Sequence, residues 1–189
     1  TGITPDAQLA AEAVGAVRST LGGLGAVSEN ELTRITRKML DMQAVMGGDI
    51  PQHIQAAAIM IKNGLARSSD EAVDLMVAGM QRMGPVMRDE LPEILHEYST
   101  HFRNMGLTGS ETMTLLADMA QQGKFALDKT GDAIKEFSIR GSDMSKASAE
   151  AYALIGLDAA RMSSAVASGG TAARAALQKT ASGLLQIVD

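Results

Sequence analysis

The sequence has no cysteine and no tryptophan, and its aromatic residues amount to three Phe and two Tyr. Without cysteine there is no disulfide, no thiolate zinc site and no cysteine nucleophile, and the redox compartment stays open. With aromatics at 3% and methionine at 13 residues, the interior must be filled by flexible thioethers and small alanines. Such a core is adaptable. Basic blocks are also missing. The 17 Lys and Arg stand against 22 Asp and Glu, a net charge of −5. That balance lacks the footprint that phosphate neutralisation requires, so no direct nucleic-acid site is evident. No stretch approaches the ~20 unbroken apolar residues of a membrane span, and the N-terminus carries no charged-then-apolar signal pattern. The chain therefore reads as soluble.

What is present is apolar residue, 46% of 189 positions. A chain of this length buries roughly 70% of the surface its unfolded form exposes, which excludes disorder as the default. It begins at Thr1 rather than Met, which reads as a processed product or an excised segment of something longer.

Apolar residues recur at spacings of three and four almost throughout, and no β-branched or aromatic run alternates with period two. The fold class is all-α. The expected architecture is a compact multi-helix bundle or a short helix-pair repeat array, about nine to ten helices joined by Gly-terminated turns. The expected organisation is a single all-helical module over 1–189. An N-terminal helix lies in 1–24, a helical core in 25–140, and Ala/Ser/Gly-rich C-terminal helices in 141–189.

In detail, a first helix runs from about Pro5 to Thr20 with Leu9, Ala13, Val14 and Val17 on one face, and Gly22, Gly23 and Gly25 break it. Ser28 and Glu31 are expected to form a capping box that opens a second, whose Leu32, Ile35, Met39, Met42 and Met46 form a seam ending at Gly47 and Gly48. Asp49 caps a third through Ile54, Ala58 and Ile61 to Gly64. Ser68 with Glu71 is expected to make another capping box, opening a fourth through Val73, Met76, Val77 and Met80, stopped by Gly84 and Pro85. A fifth is expected from about Asp89 to Asn104, burying Leu91, Ile94, Leu95, Tyr98 and Phe102. Thr108 with Glu111 opens a sixth, which carries Met113, Leu116 and Ala120 and stops at Gly123. Short helices follow around 130–139, 145–155 and 158–167, then a last one from Thr171 through Leu177, Leu184 and Val188.

Gly25-Ala26, Gly64-Leu65, Gly106-Leu107 and Gly156-Leu157 each close a helix shortly before another capped helix. An offset of forty superposes Glu71 on Glu111, Leu75 on Leu115, Gln81 on Gln121 and Ile94 on Ile134. Degenerate helix-pair repeats produce this pattern. So does the Schellman ending, a left-handed Gly followed by an apolar contact, which any helical protein reuses.

Chemistry was sought at several places. Glu93 and His96 have the Glu-x-x-His spacing of a di-iron carboxylate ligand, with Glu97 and His101 beside them, but that site needs the motif twice and there is one copy. His96 and His101 are five apart and miss the i,i+4 spacing of a helical zinc pair. The set reads as His and Glu pairing on a solvated helix face. His53, beside Pro51, reads as an exposed first-turn residue. Gly23-Leu24-Gly25 lacks the preceding strand and third glycine of a dinucleotide loop, and neither a Walker lysine nor a Gly-x-Ser-x-Gly elbow is present. Asp89, Glu90 and Glu93 match first-turn compensation of the helix dipole. No catalytic, cofactor-binding or metal-binding residue is assigned, and no cofactor is expected. Met76, Met80, Met83 and Met87 lie along one side of the fourth helix and its exit, either as core or as a Met-lined groove for a partner helix. The C-terminal stretch Ser163-Ser164-Ala165-Val166-Ala167-Ser168-Gly169-Gly170 buries little area and reads as the least stable part or a junction to more chain.

One resemblance is carried by an ordered set of phrases. Glu97-Tyr98-Ser99 leads to Met105-Gly106-Leu107-Thr108-Gly109-Ser110-Glu111, then Asp132-Ala133-Ile134-Lys135-Glu136-Phe137-Ser138-Ile139-Arg140. Ile155-Gly156-Leu157-Asp158 and Gly169-Gly170-Thr171-Ala172-Ala173-Arg174-Ala175-Ala176-Leu177 complete it. In order and spacing the set resembles the core region of tailed-phage tape measure proteins. Residues 25–90 are compatible with that region, and the first 24 match nothing specific.

The resemblance implies a non-enzymatic virion structural protein that occupies the tail tube, helps set tail length during assembly and leaves ahead of the genome. Implied partners are tail tube subunits, tail assembly chaperones, tail-tip proteins and copies of itself. The implied location is the virion tail, with the host cytoplasm during assembly. Tape measure proteins are usually far longer than 189 residues. A continuous helix of this length would extend ~280 Å, yet Gly47-Gly48, Gly84-Pro85, Gly106, Gly123 and Gly141 interrupt it. The chain therefore reads as a compact module of such a protein and not as its ruler rod. The alternative of another class is a helical-repeat adaptor that binds a partner helix.

Overall fold

The computed structural model describes residues 7–188, which form ten helices and, among the described residues, no strand. They are α1 (Ala7–Gly22), α2 (Glu29–Met46), α3 (Ile50–Lys62), α4 (Ser69–Met80), α5 (Pro85–Asn104), α6 (Gly109–Ala120), α7 (Lys124–Arg140), α8 (Lys146–Leu154), α9 (Ala159–Ser168) and α10 (Gly170–Val188).

Local chemistry sets their joints. After α3, Gly64 takes φ +76° and the Leu65 amide donates back to the Met60 carbonyl at 2.8 Å. The ends of α5 and α8 repeat this with Gly106 and Gly156, the Leu107 amide reaching Phe102 and the Leu157 amide reaching Tyr152. These are Schellman endings, in which glycine takes the left-handed conformation without the Cβ penalty. Each is followed within a few residues by a side chain that accepts a backbone N–H of the next helix: Ser68 for α4, Thr108 for α6 and Asp158 for α9. Ser28, which caps α2 in the same way, precedes Ser68 by forty residues, and Thr108 follows Ser68 by forty. Only Thr108 and Glu111 make the reciprocal capping box. Glu31 instead accepts from Ser69 Oγ, and Glu71 from the Arg67 amide.

The helices pack in two files. α1 lies on α3, α3 on α5 and α5 on α7, while α2 lies on α4 and α4 on α6. Between the files, α1 touches α2, α2 touches α3, α3 touches α4 and α6 touches α7. Residues 7–140 are thus a helix-pair array with a forty-residue repeat over its first three caps. Beyond it, α8 packs on α9 and α9 on α10, and the start of α10 returns to the turn between α5 and α6. That return needs glycine. A Cβ at Gly106, whose φ is +74°, would strike the backbone of Gly170.

A continuous core runs through the files, with Ile35, Met39, Ile54, Met60, Met76, Met80, Leu91, Leu95, Phe102 and Leu116 fully buried. Small residues set the spacing between helices. Gly79 of α4 receives the Met113 side chain of α6, and Gly131 of α7 receives the ring of Tyr98 from α5. The C-terminal helices bury less: α8 contributes Tyr152, and α10 contributes Ala173 and Ala176.

Several expectations are corrected. The start of the first helix at Pro5 lies outside the described residues. Val14 is 38% exposed, because the buried line of α1 is Ala13, Val17 and Leu21. α5 begins at Pro85 and not near Asp89, since proline is preorganised for the first helical turn. Asp89, Glu90 and Glu93 therefore lie beyond the first turn and cap no dipole. α7 begins at Lys124, six residues before the expected segment, with its interior Gly131 serving the Tyr98 contact.

Truncating Leu116 to alanine removes a side chain with no exposed surface and should cost about 2–5 kcal/mol. The same change at Leu154, 78% exposed, should stay within about 0.5 kcal/mol. Urea unfolding followed by circular dichroism checks the contrast.

Candidate functional site

The residues singled out for chemistry serve mostly as contacts between stacked helices. Glu97 accepts from Lys135 Nζ at 3.0 Å, and His101 Nδ1 lies 2.9 Å from Ser138 Oγ, so both join α5 to α7. Glu93 and His96 are exposed on α5. No group of three His, Asp or Glu among the described residues is placed to hold a metal ion. Met76, Met80 and Met83 are 0–3% exposed and Met87 is half-buried. The stripe is core, and the Met-lined groove of the adaptor reading is not formed.

His53 is the largest departure. It is 1% exposed and not a surface residue, because its ring packs against Gly48 in the turn between α2 and α3. A Cβ at Gly48 would overlap the ring, and the imidazole Nδ1 has no hydrogen-bond partner. Burial pushes the imidazole below its ordinary value of 6.5, partly offset by Asp49 and Asp89. The Gly47-Gly48 pair was read only as a helix stop, and nothing in the spacing of His53 announced a ring folded back over it.

Polar contacts between successive members of each file repeat along the stack. Arg34 Nε donates to Asp70 at 2.9 Å, Lys38 Nζ to Asp74 at 2.6 Å and Ser69 Oγ to Glu31 at 2.6 Å, all between α2 and α4. Asn63 Nδ2 donates to the buried Ser99 Oγ at 2.6 Å, linking the end of α3 to α5. Arg82, just past α4, pairs with Asp118 of α6. With the Glu97 and His101 contacts, these bonds join residues thirty-six to thirty-eight apart, one repeat along the chain. Exposed ion pairs each contribute about 0–1 kcal/mol, so they fix which residues face each other more than they hold the stack together.

The polar contact of longest range closes the C-terminal helices onto the array. Arg174 of α10 donates to both carboxylate oxygens of Glu111 at the start of α6, one of these bonds being 3.1 Å. The Thr108 amide, Arg174 and the Thr108 hydroxyl together hold the Glu111 carboxyl down at about 2. The sequence displayed Glu111 as a capping residue, but its distant partner was not legible.

Two of the surface grooves among the described residues lie beside exposed apolar side chains. One, of about 820 Å³, runs between α1 and α2 and is lined by both apolar residues (Leu9, Leu32, Leu40) and polar ones (Arg18, Thr33, Arg37). The other, of about 320 Å³, is mostly apolar and lies among α7, α8 and α10, with Phe137, Tyr152, Ile155 and Leu184 in its walls. Near it, exposed apolar side chains gather on the C-terminal helices: Leu154, Leu184, Leu185 and Ile187 are 53–78% exposed. Exposed apolar side chains gathered in this way form a surface of the kind that other chains pack against.

Comparison with known proteins agrees with a packing role. The profile of the phage-related minor tail protein family matches residues 2–188. The probable tape measure protein of Streptomyces phage phiC31 is 36% identical over 155 residues, which is 80% of this chain and 21% of that protein. The chain thus spans about one fifth of that relative's length. No solved structure matches.

Among the perturbed groups, His53 and Glu111 each make stability depend on pH in a defined direction. His53 has a lowered folded value, so its contribution is complete above 6.5 and is lost as pH falls below 6.5. Glu111 contributes fully above 4.5 and loses its share as pH falls from 4.5 toward 2. Urea midpoints measured from pH 7 to pH 3 should decline in both windows. His53→Gln should weaken the first decline and Glu111→Gln the second.

Proposed function

Because the chain belongs to the phage-related minor tail protein family and is thus a structural component of a phage tail, we propose that it is a module of a tape measure protein, one that occupies the tail tube and helps set tail length and assembly. The observation that carries this reading is the similarity to the phiC31 protein along most of the chain. Its partners are other tail components: tail tube subunits, tail assembly chaperones and tail-tip proteins, together with copies of itself. It resides in the virion and, before that, in the host cytoplasm during assembly. The role is structural and non-enzymatic.

Within that role the module is not the ruler rod. Its longest helix, α5, has 20 residues and spans about 30 Å. A rod reports length at about 1.5 Å per residue, whereas the stacked pairs fold back on themselves at every turn. Length is therefore set by other stretches of a protein several times longer, and this module supplies a folded body attached to them. A core of Met, Ala and Leu with few rings also suits passage through a narrow tube, since small and flexible side chains lose less on being separated than large aromatic ones.

Removing residues 7–140 in frame from the full protein in its phage tests the reading. Tails that still assemble should shorten by far less than the ~200 Å that the same number of residues would contribute as a rod. Electron microscopy gives the tail length, and mass spectrometry of purified virions should find peptides of the intact chain in tails. Shortening at about 1.5 Å per deleted residue would refute the folded-body role, and absence of the peptides from virions would refute the tail assignment.

A further inference from the structure

The forty-residue repeat allows equivalent positions on α2, α4 and α6 to be compared, and they differ on one face. Ser69 of α4 meets Glu31 of α2, and Val73 and Val77 continue that face one and two turns on. Ser69 and Val73 are at most 4% exposed and Val77 is half-buried. Forty residues later, Gly109 and Met113 of α6 face α4, where Gly109 approaches Leu65 and Leu75 and Met113 fills the space over Gly79. Ala117 continues the line, and all three are buried. In both helices this is the face that receives the preceding member of the file, and its side chains are small or apolar.

Forty residues earlier, the same positions on α2 are Glu29, Thr33 and Arg37, and all three are exposed. Glu29 pairs with Arg18 of α1 at 3.1 Å, and both side chains are more than half exposed. Thr33 and Arg37 line the groove between α1 and α2, with Asp41 farther along. An incoming helix would have to cover a carboxylate, a hydroxyl and a guanidinium where its counterparts cover Ser-Val-Val and Gly-Met-Ala. Burying an unmatched charge is unfavourable enough to prevent stacking. Repeat arrays need such a polar outer face at their ends to stay soluble.

We infer that α1 and α2 form the terminal cap of the array: the α2 face bearing Glu29, Thr33 and Arg37 is built to meet water, and whatever precedes it in a longer protein does not continue the stack. This goes beyond the tail role and does not depend on it.

The chain has no cysteine, so a single Asp41→Cys carries a nitroxide label cleanly. In the otherwise native chain, the label should stay mobile from micromolar to millimolar protein. In the triple variant Glu29→Ser, Thr33→Val, Arg37→Val, which copies α4, the label should become immobilised as concentration rises, with the mass by sedimentation at least doubling. A label that is immobilised in the native background would show that the face docks a partner copy and would overturn the inference. A label that stays mobile in the triple variant would show that these three residues do not close the face, with the same result. Thr33→Arg and Val73→Arg provide the independent arm. The first should leave the urea midpoint unchanged and the second should abolish cooperative unfolding. Equal effects would mean that the two positions are not equivalent, which also overturns the cap.

Discussion

A pair of short helices has two apolar faces and can bury only one of them against itself. The other must find a helix elsewhere in the chain, and here it is found one pair later, α1 on α3 and α2 on α4, through to α7. Every other feature of residues 7–140 follows from that requirement. Glycines stand where a side chain of the neighbouring helix leaves no room for a Cβ, as at Gly79 and Gly131, and Schellman turns close α3 and α5 before the next capped helix. The polar contacts one repeat apart then select a single register among the many that a Met- and Ala-rich surface would tolerate. Apolar burial supplies most of the stability, and polar matching supplies the uniqueness.

What the sequence made legible is what is local. The N-caps at Ser28, Asp49, Ser68 and Thr108 and the Gly-Leu endings at Gly64 and Gly106 are each decided within about five residues, and the structure has all of them. The starts of α5 and α7 were missed for different reasons. Pro85 was read with Gly84 as the stop of the fourth helix, although proline also suits the first helical position. α7 follows directly on Gly123, which was read as the stop of the sixth helix, and no capping side chain marks its start. His53, the Glu111 to Arg174 contact and the contacts one repeat apart depend on which helices become neighbours. That information is carried by the whole set of faces and by no single spacing.

The array and the C-terminal helices differ in how much they bury. Residues 7–140 form a stack with a polar outer face on α2, while α8 to α10 bury less and leave Leu154, Leu184, Leu185 and Ile187 toward solvent. The C-terminal part is held to the array where Gly169 and Gly170 meet the turn after α5 and Arg174 meets Glu111, and again after α7, where the Tyr152 hydroxyl donates to the Gly141 carbonyl. The face-burying pattern and the close-approach glycines are what the stack requires, and the chain that builds it belongs to the phage-related minor tail protein family.

The central claim is that α4 packs on α6 and α5 on α7, with each helix meeting its neighbour one repeat along. Nuclear Overhauser spectroscopy of the chain in solution tests it directly through two contacts. The account expects cross-peaks from the Met113 ε-methyl to the Gly79 α-protons and from the Tyr98 ring to the Gly131 α-protons, with the latter shifted by the ring current. A helical, cooperatively folded chain lacking both sets of cross-peaks would contradict the stacked array.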